Sequence, residues 1–234
     1  MLFNSLPFAL FFPVALLGHF LLPSRWRWLG LLAAGHVFYM SFVPWYVLIL
    51  WIAIVLDYSA ARGIEGSRTN WGRDLWLAAS VTGTVGLLAV FKYAGWALEM
   101  AKPLAHWLHL PLPVVELVVP LGLSFHTFQS LAYVVEVHQG RWKPERHFGI
   151  YALYVLFYPQ LVAGPIERPQ ELLPQLRGFK EFDSSMVAAG LRRMAWGFFL
   201  KVAVADRLAP LADAAFAQPD RISATGGWIG LVAF

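Results

Sequence analysis

Residues 154–175 read YVLFYPQLVAGPIERPQELLPQ. An apolar run that suits lipid stops at Gly164 and Pro165, and Glu167, Arg168 and two more prolines, Pro169 and Pro174, follow at once. Hydrocarbon holds no water to satisfy a broken backbone, so irregular chain at that depth persists only where protein buries it or a wet cavity borders it. Charged groups in such places are costly and mark a pathway or a site. The stretch therefore predicts a membrane protein with an internal site, not a simple anchor. Glu167 and Arg168 are read either as a pair that braces the turn or as direct substrate contacts.

The rest of the chain supports that reading. It is 59% hydrophobic and only 14% charged, against about 25% charged in soluble domains, and its mean hydropathy is +0.58. Many of its 11 tryptophans fall near the ends of apolar runs, where membrane–water boundaries favour them. The net charge of +4 matches cytoplasmic-loop Lys and Arg better than a nucleic-acid surface, so no nucleic-acid partner is expected. The absence of cysteine excludes disulfides and thiolate metal sites. The scattered histidines lack ligand spacing, so no metal is expected.

Apolar segments fall at Leu6–Leu22, Trp28–Tyr39, Val43–Leu56, Leu75–Trp96, Val114–Val137 and Gly149–Ala163. They are continuous and do not alternate with period two, which favours helices over a β-barrel. Several are shorter than the roughly 20 residues of a perpendicular span. Phe42–Leu56, which contains Pro44, reads as tilted, packed or partly inserted. The expected fold is all-α, a polytopic membrane helical bundle with re-entrant or short helices and an amphipathic interfacial helix. It forms one domain, or part of one, over residues 1–234.

Arg25 and Arg27 in the loop Pro23–Arg27, Arg62, Arg68 and Arg73 in the loop Asp57–Asp74, and Arg141, Lys143 and Arg146 in the loop His138–His147 occupy alternate loops. With the N-terminus outside, these basic loops are cytoplasmic, and a multi-pass protein of a bacterial plasma (inner) membrane is expected. The segment Gly149–Ala163 is then re-entrant, turning at Gly164–Pro165 so that the basic region from Arg168 to Arg207 stays on the cytoplasmic side. Cysteine labelling at position 180 from outside alone would defeat this topology.

Residues 183–209 read as an amphipathic helix. Asp183 or Ser184 caps it, and Pro210 ends or kinks it. Val187, Leu191, Met194, Phe198 and Val202 share one face; Arg192, Arg193, Lys201 and Arg207 share the other. Such a helix can lie among headgroups, with membrane lipid as its partner. The final GGWIGLVAF begins an apolar run too short to cross a bilayer, which predicts truncation relative to a longer protein.

The second informative stretch is PLGLSFHTFQSLAYVVE, residues 120–136. Pro120 suits a first helical turn. His126, Gln129, Ser130 and Tyr133 then share a face, with Glu136 near its edge and Phe128, Leu131 and Val135 opposite. A polar stripe in a membrane helix faces protein or a cavity, so these residues, with Ser124, are the candidate cavity lining. His126 offers an acid, a base or a structural hydrogen bond. His19 and His36 have no polar company and read as structural.

Taken in order, LFNSLPFALFFPV near the N-terminus, FKY at 91–93, PLGLSFHTFQSLAY at 120–133, FYPQLVAGPIERP at 157–169, PQL at 174–176 and GLRRMAWGFFLKVAVADRLA at 190–209 resemble the membrane-bound O-acyltransferase family. The branch is that of the alginate O-acetylation protein and the D-alanyl transfer protein of teichoic acids. The resemblance runs nearly end to end. It implies a multi-pass enzyme that moves an acyl group, most simply acetyl, from a cytoplasmic thioester toward a hydroxyl of an exported polysaccharide such as alginate. The donor is acetyl-CoA or another acyl thioester, as acyl-CoA or on an acyl carrier protein. The acceptor side involves a periplasmic or extracellular acetylation partner. No bound cofactor is implied. The family's Trp-His-Gly element, which carries its catalytic histidine, has no counterpart here. The chain thus looks like the N-terminal half of such an enzyme, with that histidine expected beyond Phe234 and no catalytic residue of its own; His126 does not fill the role. D-alanyl transfer, a transporter and a non-enzymatic assembly subunit stay open as alternatives.

Overall fold

The computed structural model describes residues 1–107, 120, 122–161, 164–178, 181–217 and 222–234. Among these the secondary structure is wholly helical. The described chain falls into two compact units, Met1–Lys180 and Glu181–Phe234.

In the first unit, α1 (Leu6–Leu21) starts where the Ser5 hydroxyl accepts a hydrogen bond from the Phe8 amide at 3.4 Å, satisfying one orphan donor of the first turn. A short turn leads into α2 (Arg27–Met40), and α3 (Tyr46–Gly66) follows. α4 (Asn70–Trp107) packs along α3. Both α3 and α4 are long and apolar enough to cross a membrane, with mean hydropathies of 1.8 and 1.6 over their most apolar stretches. α3 departs from expectation in two ways. Pro44 lies before it and does not interrupt it, so α3 is a full 21-residue helix. It also runs on through Asp57, which was read as the first residue of a basic loop and is instead a buried mid-helix residue.

α5 (Leu123–His138) packs between α3 and α4. It begins three residues after Pro120, which is therefore not in its first turn. Gly122 caps it with φ 77°. A β-carbon there would stand 2.4 Å from the Leu161 carbonyl, so both the left-handed backbone and the close approach require glycine. The expected segment Val114–Val137 lies partly outside the described residues.

α6 (Phe148–Val155) is eight residues long and wholly buried from Ile150 to Val155. At 1.5 Å per residue it rises about 12 Å, well short of a span. Turns at Phe157–Gln160 and Tyr158–Leu161 reverse the chain. α7 (Pro169–Arg177), with proline in its first turn, packs back on α6. The core joins Phe38, Leu50, Ile54, Tyr133, Val134, Tyr151, Leu153 and Leu156, all essentially inaccessible.

The second unit holds α8 (Ser184–Phe199), a π-helical segment Leu200–Ala205, α9 (Asp206–Ala217) and α10 (Ala224–Ala233). Asp183 caps α8, accepting from the Ser185 amide at 2.8 Å. Pro210 does not end the helix. α9 continues through it to Ala217, and the change of winding falls earlier, in the wider π turns just ahead of the proline, the kind of place where helices bend. α10 packs on α9, with Gly230 against Ala215.

Candidate functional site

The centre of the first unit is the polar face of α5. His126, Thr127, Gln129, Ser130 and Tyr133 are all buried there, while Phe128 on the opposite side is exposed. Ser124, one turn earlier, is half-buried. His126 is 2% exposed. Its ring meets Tyr39 edge-on at 6.3 Å, beside the Leu161 carbonyl that Gly122 admits.

Gln129 has a clear structural task. α6 stops at Val155, so the Tyr154 carbonyl loses the partner a continuing helix would supply. The Gln129 and Gln160 amides both donate to it, at 3.2 and 2.9 Å. Two glutamines thus complete a helix end inside the core.

Tyr133 reaches the other way. Its hydroxyl accepts from the Glu145 amide at 2.8 Å. The Glu145 side chain, 2% exposed, accepts from the His147 amide at 2.9 Å and from Arg177 Nε at 2.8 Å. His147 caps α6 through Nδ1, accepting from the Ile150 amide at 3.1 Å. At the end of α5, Glu136 accepts a two-pronged bond from Arg141, at 2.7 and 2.9 Å, and another from Gln170 at 2.8 Å. Opposite charge and fork geometry make such arginine–carboxylate contacts stronger than neutral ones. Arg141, in a loop read above as basic, and Arg177, within the basic region from Arg168 to Arg207, are thus engaged in holding α5, α6 and α7 together. The Glu136 pairing also holds the Arg141 guanidinium above its ordinary range.

The turn at Gly164 and Pro165 is tied down at both ends. The Gly164 amide donates to the Gln160 carbonyl at 3.2 Å, and a β-carbon at Gly164 would lie 2.5 Å from Gln160 Cα. Tyr154 donates its hydroxyl to the Glu167 carbonyl at 2.8 Å. Among the described residues Glu167 and Arg168 form no ion pair with each other; the bracing expected of their side chains comes from the Glu167 backbone and Tyr154 instead. Pro165, Ile166 and Arg168 are exposed, with Ile166 at 49%.

A second polar cluster was not read from the sequence. Asp57 of α3 is fully buried, and its Oδ1 accepts from Ser80 Oγ at 2.6 Å and Thr84 Oγ1 at 2.8 Å, both on α4. Ser130 stands beside both Asp57 and Tyr151. The clue was a lone carboxylate at the end of an apolar run, which a loop explained equally well. His36, read as structural, accepts the Trp51 indole N–H at 2.9 Å on Nε2, with Nδ1 2.8 Å from the Leu32 carbonyl. Among the described residues no cluster of His, Asp and Glu suits a metal ion.

Among the described residues the fold is all-helical, and two helices long and apolar enough to cross a membrane, with an inward polar face on a third, fit a membrane protein with an internal polar centre. Over its whole length the chain is 32% identical to the probable alginate O-acetylase AlgI of Azotobacter vinelandii, covering 47% of that protein. It is 31% identical to the protein of the same name from Pseudomonas aeruginosa, covering 45%. A peptidoglycan O-acetyltransferase of Helicobacter pylori is 30% identical over 98% of the chain and 49% of its own length. Along its length the chain is similar to these O-acetylating proteins, and it spans about half the length of the curated relatives it matches. No family model and no solved structure matches it.

Proposed function

We propose that the chain forms part of a polytopic bacterial membrane O-acetyltransferase, moving acetyl from a cytoplasmic thioester to hydroxyls of an exported polysaccharide. The observation that carries this is the identity of about a third, along the entire chain, with probable alginate O-acetylases. The geometry supports it. Acyl transfer to a hydroxyl benefits from excluding water, which would otherwise hydrolyse the donor. A buried polar helix face, walled by an eight-residue helix and a reversing turn, fits a protected chamber. In this reading α5 contributes wall and orientation. The base that activates the acceptor and the donors for the developing oxyanion come from the part of the protein that carries the family's histidine.

Alginate is the acceptor favoured by the names of several relatives; the peptidoglycan O-acetyltransferase marks peptidoglycan as the alternative. Mass spectrometry of exported glycans and wall fragments, with and without the whole gene, tests the proposal. Loss of O-acetyl esters from an exopolysaccharide is expected. Loss from peptidoglycan alone moves the acceptor, loss of D-alanyl ester moves the acyl group, and unchanged esters in every fraction reject acyl transfer. Arg168→Ala sharpens the role of the turn: normal protein abundance with lost acylation assigns Arg168 to substrate contact, and unchanged acylation removes it from the site.

A further inference from the structure

We propose that Asp57 is a proton-binding site at the centre of the bundle, its carboxyl held as the neutral acid and linked through Ser130 to Tyr151. The inference is independent of acyl transfer; it rests on where Asp57 lies and what surrounds it.

Asp57 sits near the middle of α3, a helix long and apolar enough to cross a membrane, and is fully buried. A buried carboxylate needs a countercharge, because an isolated charge loses far more hydration than hydroxyl contacts return. Among the described residues no Lys, Arg or His pairs with it; its neighbours are hydroxyls. The ionisable groups facing the cluster are phenols. Tyr151 lies against Ser130, and Tyr133 and Tyr58 pack on the Tyr151 ring at 4.6 and 5.7 Å. None supplies positive charge. An ionisable side chain in such a setting marks a functional site by default.

The hydrogen-bond pattern indicates where the proton resides. Oδ1 is occupied by Ser80 and Thr84. Oδ2, Ser130 Oγ and Tyr151 Oη are buried, and none of them has a hydrogen-bond partner among the described residues. A proton on Oδ2 turns that atom into a donor facing the Ser130 oxygen, and the Ser130 hydroxyl can pass the bond on to Tyr151. The proton removes the charge without another residue, and four helices share the network: α3 through Asp57, α4 through Ser80 and Thr84, α5 through Ser130 and α6 through Tyr151. A single uncompensated carboxylate calls for one positive charge, which a proton supplies without the several oxygen ligands a metal cation requires.

Infrared spectroscopy of the full chain in lipid, at mildly acidic pH and in light and heavy water, tests this directly. A carboxylic C=O band that shifts down on deuteration and disappears in Asp57→Asn is expected. Asn keeps an acceptor for Ser80 and Thr84 and a donor for Ser130, so the variant is expected to fold with nearly unchanged thermal stability. If it does not fold, Asp57→Glu serves instead and moves the same band in frequency. A band unchanged in both variants, or loss of a carboxylate band in its place, overturns the proposal. So does sodium-dependent thermal stabilisation that Asp57→Asn abolishes, which would assign the site to a metal cation.

Discussion

α5 and α8 are both 16-residue helices with a polar side and an apolar side, yet they meet opposite fates. α5 turns His126, Gln129, Ser130 and Tyr133 into the core and leaves Phe128 exposed. α8 leaves both Leu191 and Arg192 exposed. The difference lies in the neighbours. The polar atoms of α5 meet partners in α3, α4, α6 and the turn before α7, so its polar side is the packed one. α8 has no buried residue, and its ends are set by local bonds such as the Asp183 cap. Amphipathicity separates two faces; it does not say which one is covered.

Substitutions can break this contrast. The largest effect is expected in the buried core of the first unit, to which α5 also belongs. Phe38→Ala removes a fully buried ring and costs about 3–5 kcal/mol, whereas Leu191→Ala on α8, 52% exposed, changes folding stability by roughly 0.5 kcal/mol or less. Thermal unfolding of the purified chain in detergent compares the two, and equal losses would mean that α8 is packed as tightly as α5. Gly122→Ala comes next. A β-carbon at φ 77° pressed on the Leu161 carbonyl costs about 1–3 kcal/mol, read in the same assay; an unchanged melting temperature would deny the close approach. Arg177→Ala removes both guanidinium hydrogen bonds to the buried Glu145 carboxylate and costs about 1–3 kcal/mol, with Arg177→Lys restoring part of it.

The smallest effect belongs to α8. Hydrogen bonds from the Ser185 hydroxyl and amide and the Met186 amide hold the Asp183 carboxyl below its ordinary range. A carboxyl depressed on folding adds stability above its unfolded range and loses it as pH falls through the folded value. Circular dichroism of Asp183→Asn and wild type at decreasing pH is expected to show a helicity loss confined to acid in the wild type. A parallel acid loss in the variant would place its cause elsewhere.

Much of the frame was legible in the residues. The apolar runs located α1 and α2 almost to the residue, and the period of α5 identified its polar side, because burial imposes that pattern directly. What escaped notice depended on contacts distant in sequence. Asp57 looked like the start of a loop because nothing local shows that Ser80 and Thr84 await it across the α3–α4 hairpin. Glu145 and Arg177 drew no attention in the sequence because their pairing spans 32 residues. Glu167 and Arg168, adjacent and opposite in charge, invited a pairing that the chain does not make; adjacent side chains in extended backbone point to opposite sides. Pro210 misled because a proline near the start of a helix is tolerated once the winding upstream adjusts.

The brevity of α6 has a consequence for distance. An eight-residue rung about 12 Å tall would reach across less than half of an oily layer about 30 Å deep.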